Sequence, residues 1–378
     1  MKEVVQGRRV INTIYIIVIL AILFSNFFHK TLSVFLLLNP NYEFNNNTEI
    51  HFLDVGQGDA IAIKFDNGEV MLVDSGTQEY NQKLTYYLEN LVLDKTKTIN
   101  YLVLTHIDTD HSANVLSLMK NFNIDVFFRP PNISTYEDLS SMESNNTFDE
   151  IIEYASTHNI DTRVNSEGLQ LKVGNTELNW LAPTLDTHFN STNEYSPIIK
   201  LEYNGFSALL TGDVSSKIEQ VVLEKYSSEL DVDILKFAHH GSYNSTSKQF
   251  LQATSPEFAC ISVGENTFGH PSIKTLQRVL EYDQENDTNL FNNLYTTKDK
   301  GNVVFELGDK INVSFIENID DYSFVSYFVY SSIAIVVLLL LMLKPYYYTF
   351  RKNRRFIIQN RQYQENAQKN IDSQNVLK

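Results

Sequence analysis

Cysteine is all but missing from this chain of 378 residues. Cys260 stands alone, which excludes a disulfide within the chain and any metal site built from thiolates. Its surroundings, Phe258-Ala259-Cys260-Ile261-Ser262-Val263, mark it as a small apolar residue of a core. Positive charge is the second shortage. The formal charge is −16, and residues 41–320 hold 18 Lys+Arg against 42 Asp+Glu, a net of −24. A body this acidic has no bulk attraction for nucleic acid or anionic lipid. An internal period is also missing, which sets aside repeat architectures.

Long hydrophobic runs are confined to the two ends. Residues 11–29 follow Arg8 and Arg9, carry Asn12 and Asn26, and lack a small-x-small cleavage site. They read as a retained signal anchor. Residues 322–343 hold an unbroken apolar core, Ile333 to Leu343, and precede Lys344, Arg351, Lys352, Arg354 and Arg355. A buried core helix is the bland alternative for each run. With basic flanks outside the body at both ends, the positive-inside rule puts both termini in the cytoplasm and the body across the membrane. The expected organisation is a basic terminus at 1–10, an anchor at 11–29, a linker at 30–49, a body at 50–316, a second span at 322–343 and a polar, disordered tail at 344–378.

Within the body, short apolar runs alternate with helix-like segments. Ile50–Val55 and Asp59–Phe65 flank Gly56-Gln57-Gly58 and read as a hairpin. Val70–Val73 ends at Asp74-Ser75-Gly76, residues 79–93 look helical, and Tyr101–Leu104 is the next strand. Asp125–Phe128 follows, then a polar stretch to about Asn165, then a hairpin of Leu169–Val173 and Glu177–Leu181. Asn204-Gly205, between Ile198–Tyr203 and Phe206–Leu210, is the strongest hairpin signal. Ile234–Phe237 and Phe258–Val263 are strands beside helices at Ser216–Tyr226, from Ser247, and at Ser272–Tyr282. Leu294–Thr297, Val303–Glu306 and Ile311–Phe315 close the body.

The chemistry gathers at strand ends. Thr105-His106-Ile107-Asp108-Thr109-Asp110-His111-Ser112 puts two His and two Asp within six residues, directly after an apolar strand. Crowded carboxylates repel each other and add nothing to packing. A divalent cation resolves that conflict, since His nitrogen and carboxylate oxygen suit Zn²⁺, Mn²⁺ or Fe²⁺. Three further strand ends carry candidate ligands: Asp74, Asp213 in Leu210-Thr211-Gly212-Asp213, and His239-His240-Gly241-Ser242. A rigid sheet presents metal ligands at one edge in this manner. Each end alone is weak, because Thr-Gly-Asp is a common turn and a His pair is commonly surface or capping.

Taken in order, these residues resemble the metallo-β-lactamase superfamily, and more narrowly the extracellular hydrolase domain of the ComEC-type competence proteins. The resemblance rests on Phe52-Leu53-Asp54-Val55-Gly56-Gln57-Gly58-Asp59-Ala60, Val73-Asp74-Ser75-Gly76 and the His106-to-His111 stretch. It continues through Leu210–Asp213, Leu235-Lys236-x-x-His239-His240-Gly241-Ser242 and Ser262-Val263-Gly264-x-Asn266-x-x-Gly269-His270-Pro271. It covers roughly residues 50–315 and leaves out the polytopic channel of the competence proteins.

The resemblance implies an α/β fold, a four-layer αββα sandwich, with one or two divalent ions (Zn²⁺ or Mn²⁺) at one edge. It implies that His106 and Asp108 hold a first metal, and that Asp110 and His111 hold a second with one of His239 and His240. Asp213 would bridge them. His240 is the favoured ligand and His239 the favoured contact to substrate, although spacing leaves the pair open. A third histidine of the first site is missing: Asn193 stands in that neighbourhood, and His188 is the nearest histidine. Asp74 is expected to orient the metal loop. Asp59 and Asp54 would support it or shape the Gly56-Gln57-Gly58 turn. His270 would touch substrate or cap a helix, so the candidate catalytic side chains are Asp110, His239 and His270. His51, His29 and His158 look structural or exposed.

The leading expectation is a membrane-anchored, extracytoplasmic metal-dependent hydrolase of phosphodiesters, with DNA as the obvious substrate. Lys236, Lys248, Lys274, Lys298 and Lys300 are the only basic candidates near the motif loops. One alternative is a phosphodiesterase acting on an envelope component, such as a teichoic acid or a phosphocholine ester. Another is a non-catalytic receptor or scaffold with a degenerate metal site.

Overall fold

The computed structural model describes residues 47–131, 143–185 and 189–316, with Arg355, Ile358, Gln359, Arg361 and Gln362. The expected membrane runs at 11–29 and 322–343, most of the linker, most of the terminal segments, His29 and His188 lie outside the described residues. Among the described residues no helix is long and apolar enough to cross a membrane. Everything below belongs to one compact unit, Leu38–Ile319.

Fifteen described strands, numbered β1 to β15 along the chain, form two sheets. The first has eight strands in the order β15-β14-β1-β2-β3-β4-β5-β6. They are Thr48–Phe52 (β1), Ile61–Lys64 (β2), Val70–Val73 (β3), Thr98–Val103 (β4), Asn123–Arg129 (β5), Asp161–Val164 (β6), Asn302–Leu307 (β14) and Ile311–Ile316 (β15). The second runs β13-β12-β11-β10-β9-β8-β7. Its members are Gln170–Val173 (β7), Thr176–Ala182 (β8), Ile198–Tyr203 (β9), Phe206–Leu210 (β10), Ile234–Lys236 (β11), Phe258–Ile261 (β12) and Leu294–Thr296 (β13).

Alternation along the strands builds the layers. Ile50, Phe52, Ile61, Ile63, Met71 and Val73 of the first sheet meet Trp180, Ile199, Leu201, Ala208, Leu210 and Cys260 of the second in a shared core. The opposite face of the first sheet, Ala62, Val70, Leu72, Leu102 and Phe127, is covered by helices Asn81–Tyr87 (α1), Val115–Asn121 (α3) and Glu143–Thr157 (α4). The opposite face of the second, Ile198, Leu209, Leu235, Ala259 and Ile261, is covered by Ser216–Tyr226 (α5), Lys248–Thr254 (α6) and Ile273–Asn286 (α7). Helix, sheet, sheet and helix thus stack as four layers.

Several boundaries differ from the sequence expectation. β1 begins at Thr48, inside the expected linker. The polar stretch before Asn165 contains α4 and β6. Both were hidden because α4 buries little besides Phe148, Ile151 and Ala155, and β6 is a largely exposed edge strand without alternation. The expected helix over 79–93 divides into a 3₁₀ turn, α1 and a π turn at Leu88–Val92. Cys260 is buried with a free thiol.

Strands β3 to β6 are mutually parallel, and so are β10 to β13. Parallel neighbours end at the same edge, so the loops after β3, β4, β10, β11 and β12 share one side of the sandwich. Phe305 anchors the core beneath them, edge-on to Phe52 at 5.8 Å and fully buried. Phe305→Ala should cost about 3–5 kcal/mol of unfolding free energy, read from the denaturant midpoint; a loss below about 1 kcal/mol would show that the sheets repack around the cavity.

Candidate metal centre

Asp74 ends β3 with a positive φ of 61°. Its Oδ1 accepts from the Thr105 amide at 2.8 Å, its Oδ2 accepts from the Thr105 hydroxyl at 2.7 Å, and His111 Nδ1 lies 2.8 Å from Oδ2. Ser75 donates both its amide and its hydroxyl to the His111 carbonyl, each at 2.8 Å. The His-Asp stretch is therefore not one loop. Asp108 precedes a helical turn, Thr109–Ser112 (α2), and that turn carries Asp110 and His111. Gly58 lies against it so closely that a Cβ there would sit 2.2 Å from the Asp110 carbonyl oxygen.

The other ligand candidates arrive from the second sheet. Asp213 follows β10, and its amide donates to Ser196 Oγ at 3.3 Å. His239 and His240 follow β11 in two consecutive left-handed conformations, with φ of 51° and 53°. His240 Nδ1 faces the Ser262 carbonyl at 2.8 Å, beyond the end of β12.

In His106, His111 and His240 the Nδ1 atom is engaged outward and Nε2 points inward. His106 Nδ1 contacts Thr105 Oγ1 at 2.9 Å and Ser196 Oγ at 3.3 Å. The Nε2 atoms of His106, His111 and His240, with Oδ1 of Asp213, are buried without a hydrogen-bond partner. His111 Nε2 and His240 Nε2 each lie 3.3 Å from Asp213 Oδ2, and His240 Nε2 lies 3.4 Å from Asp110 Oδ2. Four three-residue groups have ligand atoms within 4.8 Å of one another: His106, His111 and Asp213; Asp110, His111 and His240; and two that include Asp59, with Asp213 and His240 or with Asp74 and His111. Unsatisfied buried lone pairs are costly, and a convergent set of imidazole nitrogens and carboxylate oxygens is what a divalent metal satisfies. The residues fit a divalent ion.

The remaining predicted residues sit around this point. Asp108 is partly exposed, with Oδ2 3.8 Å from His106 Nε2 and Oδ1 2.6 Å from the Thr192 hydroxyl. The same hydroxyl lies 3.1 Å from Asn193 Oδ1, so Asn193 stands beside Asp108 on the flank where the third histidine is missing. Asp108 joins none of the close ligand groups. His239 is a third exposed, with Nε2 3.9 Å from Asp213. Its ring meets His270 edge-on at 5.5 Å, so both histidines line the open side. Asp59 is buried, with its oxygens 3.8 Å from His240 Nδ1 and 3.9 Å from His111 Nδ1. Asp54 Oδ1 accepts from the Gly56 amide, the turn-forming role.

Lys236 corrects an expectation. It was a candidate for a basic groove, but its side chain is 1% exposed and its ammonium lies 2.7 Å from Asp59 Oδ2, under the site. A lysine closing a three-residue strand between apolar neighbours has no route to water. Ser196 was given no role, because a serine just after a 3₁₀ segment carries no spacing signal. His51 is structural: its ring bridges Tyr87 and Glu49 inside the first sheet's outer face.

The carboxylates set the proton affinities. Burial alone lowers His240, but Asp213, Asp110 and Asp59 raise it to about 10. His111 is raised well above its ordinary value against the same burial penalty, by Asp213, Asp74 and Asp110. His106, buried beside His111, is lowered. Burial works against Asp213 as well, yet His240 and His111 hold it well below the usual carboxylate range.

The metallo-beta-lactamase superfamily model matches residues 53–265, more than half of the chain, and the chain belongs to that superfamily. Its relatives include ComEC-type competence proteins. It is 27% identical over 259 residues to ComE operon protein 3 of Bacillus subtilis, covering 62% of this chain and 32% of that protein. It is 26% identical over 249 residues to competence protein ComA of Neisseria gonorrhoeae, covering 66% of this chain and 32% of that protein. With recombination protein 2 of Haemophilus influenzae the identity is 28% over 242 residues, 62% of this chain and 26% of that protein. The chain thus spans a third or less of the length of these relatives.

The raised histidines give a pH signature. A group raised in the folded state contributes stability that is complete below its unfolded value, 6.5 for His240, and is lost as pH climbs through about 10. The lowered carboxylates contribute fully throughout that window. The melting temperature of EDTA-treated protein should therefore fall between pH 7 and 10, and Zn²⁺ or Mn²⁺ should remove most of the fall by replacing the protons. A flat profile for the stripped protein would contradict this charge arrangement.

Proposed function

We propose that the chain is a membrane-anchored, extracytoplasmic hydrolase that uses Zn²⁺ or Mn²⁺ to cleave phosphodiesters. The observation that carries the reading is the convergence of His106, His111, His240, Asp110 and Asp213 beside an open side lined by His239 and His270. Three carboxylates near the centre, Asp108, Asp110 and Asp213, make the donor set oxygen-rich, which suits hard ions and the oxygens of a phosphate. Divalent ions at such a centre lower the pKa of water and neutralise the charge that develops on phosphorus-bound oxygen.

The chain's own residues supply the rest. Asp110, Asp213, His111 and His240 would hold the ion that the closest groups define, with His106 beside them. Asp74 fixes the His111 ring, and the Ser262 carbonyl fixes His240. His239, a third exposed on the open side, would contact the substrate or its leaving group, with His270 beside it. Two relatives are named for competence and recombination, which makes a DNA strand the first diester to test. The net charge of −24 on residues 41–320 favours recognition within the site over long-range attraction, and it keeps an envelope diester in view as a second substrate. The hydrophobic runs at 11–29 and 322–343 support anchoring at both ends.

Elemental analysis should find bound metal, and Asp213→Ala should lower turnover of bis-(p-nitrophenyl) phosphate by at least about a hundredfold. Metal-free protein, or turnover unchanged in the variant, would leave a non-catalytic scaffold. External protease on intact cells should digest the body; protection would refute the topology.

A further inference from the structure

Six consecutive backbone carbonyls follow the candidate ligand His240, and each accepts a hydrogen bond from within the protein. The Gly241 carbonyl accepts from the Ser272 amide at 2.9 Å, and the Ser242 carbonyl from the Thr275 hydroxyl at 3.0 Å. Arg278 takes three more: Nη2 donates to Tyr243 at 3.2 Å, and Nη1 donates to Ser245 at 2.8 Å and to Thr246 at 2.5 Å. The Ser216 amide, at the start of α5, donates to Asn244 at 2.9 Å. A loop carbonyl can be satisfied by water as well as by protein, and this loop leaves that task to the protein throughout.

The donors share an origin. Ser272, Thr275 and Arg278 are three residues apart, so they rise along one face of α7. Ser272 caps that helix, its hydroxyl accepting from the Lys274 amide at 3.2 Å. It also follows His270 and Pro271 directly, and a Cβ on Gly241 would sit 2.8 Å from the Pro271 Cβ. One helix face therefore holds the loop after His239 and His240 and begins where the loop carrying His270 ends.

Arg278 reaches furthest along the loop, and its planar fork serves three acceptors at once, which the single ammonium of a lysine does not copy. Its contacts fall on a loop that is hard to hold. Thr246 has a φ of 50°, and His239 and His240 precede it at 51° and 53°. Non-glycine residues persist in that region only where their surroundings over-determine them.

We propose that Arg278 is a positioning residue of the metal centre: through the carbonyls of Tyr243, Ser245 and Thr246 it fixes the backbone that aims the His240 ring at the ion. The proposal rests on the metal-dependent reading above. Its reach is confined to one ligand loop, since His111 is held by Asp74 and His106 by Thr105.

The test uses the full chain with Zn²⁺ as the probe. Arg278→Met should weaken Zn²⁺ binding about ten- to a hundredfold in competition with a chelator, the range for support lost behind a ligand. Val279→Ala opens a cavity under the same turn of α7, in the core and away from the loop, and should leave the dissociation constant unchanged. No weakening in Arg278→Met overturns the proposal, and so does an equal loss in Val279→Ala, which would make the effect one of general stability. If Arg278→Met does not fold, Arg278→Lys gives the same comparison with a smaller loss. The metal-free protein supplies a second readout. In the Arg278 variant the ring resonances of His239 and His240 should move while those of His106 and His111 stay; movement of all four, or of none, refutes the positioning role. If the wild-type chain binds no Zn²⁺, the metal-dependent reading fails, and the ring resonances alone then decide whether Arg278 places His240.

Discussion

The Asp74 carboxylate is the contact on which the site depends. One oxygen holds the Thr105 amide and the other meets the Thr105 hydroxyl and His111 Nδ1, so a single side chain ties the ends of β3 and β4 to α2. A carboxylate this deep is stable only when its acceptor positions are filled, and here they are filled by groups that must be ordered for the site to exist. The contact at Nδ1 also turns Nε2 of His111 inward. Position and direction of that ring both follow from one contact.

The second sheet answers with the opposite arrangement, a buried cation. Lys236 ends β11 next to Asp59, and its ammonium also donates to the carbonyls of Gly212 at 3.1 Å and Phe237 at 3.3 Å. Asp59 thereby has a buried cationic partner, although it also lies under both His111 and His240. An isolated buried carboxylate in that place would compete with Asp213 for protons and for metal. The pair is also a join between sheets, because Asp59 follows the turn after β1 while Lys236 belongs to β11. Removing either partner would leave an uncompensated charge under the centre, which is far more costly than removing both.

Much of this was legible in the sequence, and the reasons are specific. Asp74, Asp213 and His240 each come within four residues of the end of an apolar strand, and parallel strands end at one edge, so order along the chain translates into proximity in space. Asp110 and His111 are adjacent to His106 in sequence and needed only the α2 turn to face inward. What stayed hidden depends on contacts between distant segments. Lys236 reads as a surface base because only its burial against Asp59 reveals its partner. Ser196 and Thr192 gain their roles by touching His106 and Asp108 across about ninety residues of sequence, a relation without a local signal. The edge strand β6 and helix α4 were lost for the opposite reason, having too little buried surface to leave a pattern.

The adjacency of His239 and His240 left their roles open, and backbone conformation resolves how neighbours can divide them. In an extended strand, successive side chains would point to opposite faces, and in a helix they would diverge by about 100° around an axis. Here two successive left-handed residues, with Gly241 also at a positive φ of 78°, fold the chain sharply against Pro271. The rings end 6.1 Å apart and nearly perpendicular, at 75°. One is buried against the Ser262 carbonyl with Nε2 toward Asp110 and Asp213, while the other is a third exposed beside His270. Non-glycine residues in this region cost on the order of 1 kcal/mol each, and the loop sustains two in succession. That cost is compensated where the turn is over-determined: by the Thr246 hydroxyl on the Ala238 amide at 3.1 Å, and by the buried Glu219 carboxylate accepting from the Thr246 and Ser247 amides. The different placement of the two rings therefore follows from a strained turn braced by Glu219 of α5, which holds amides six to eight residues further along the loop, and not from the identity of either ring.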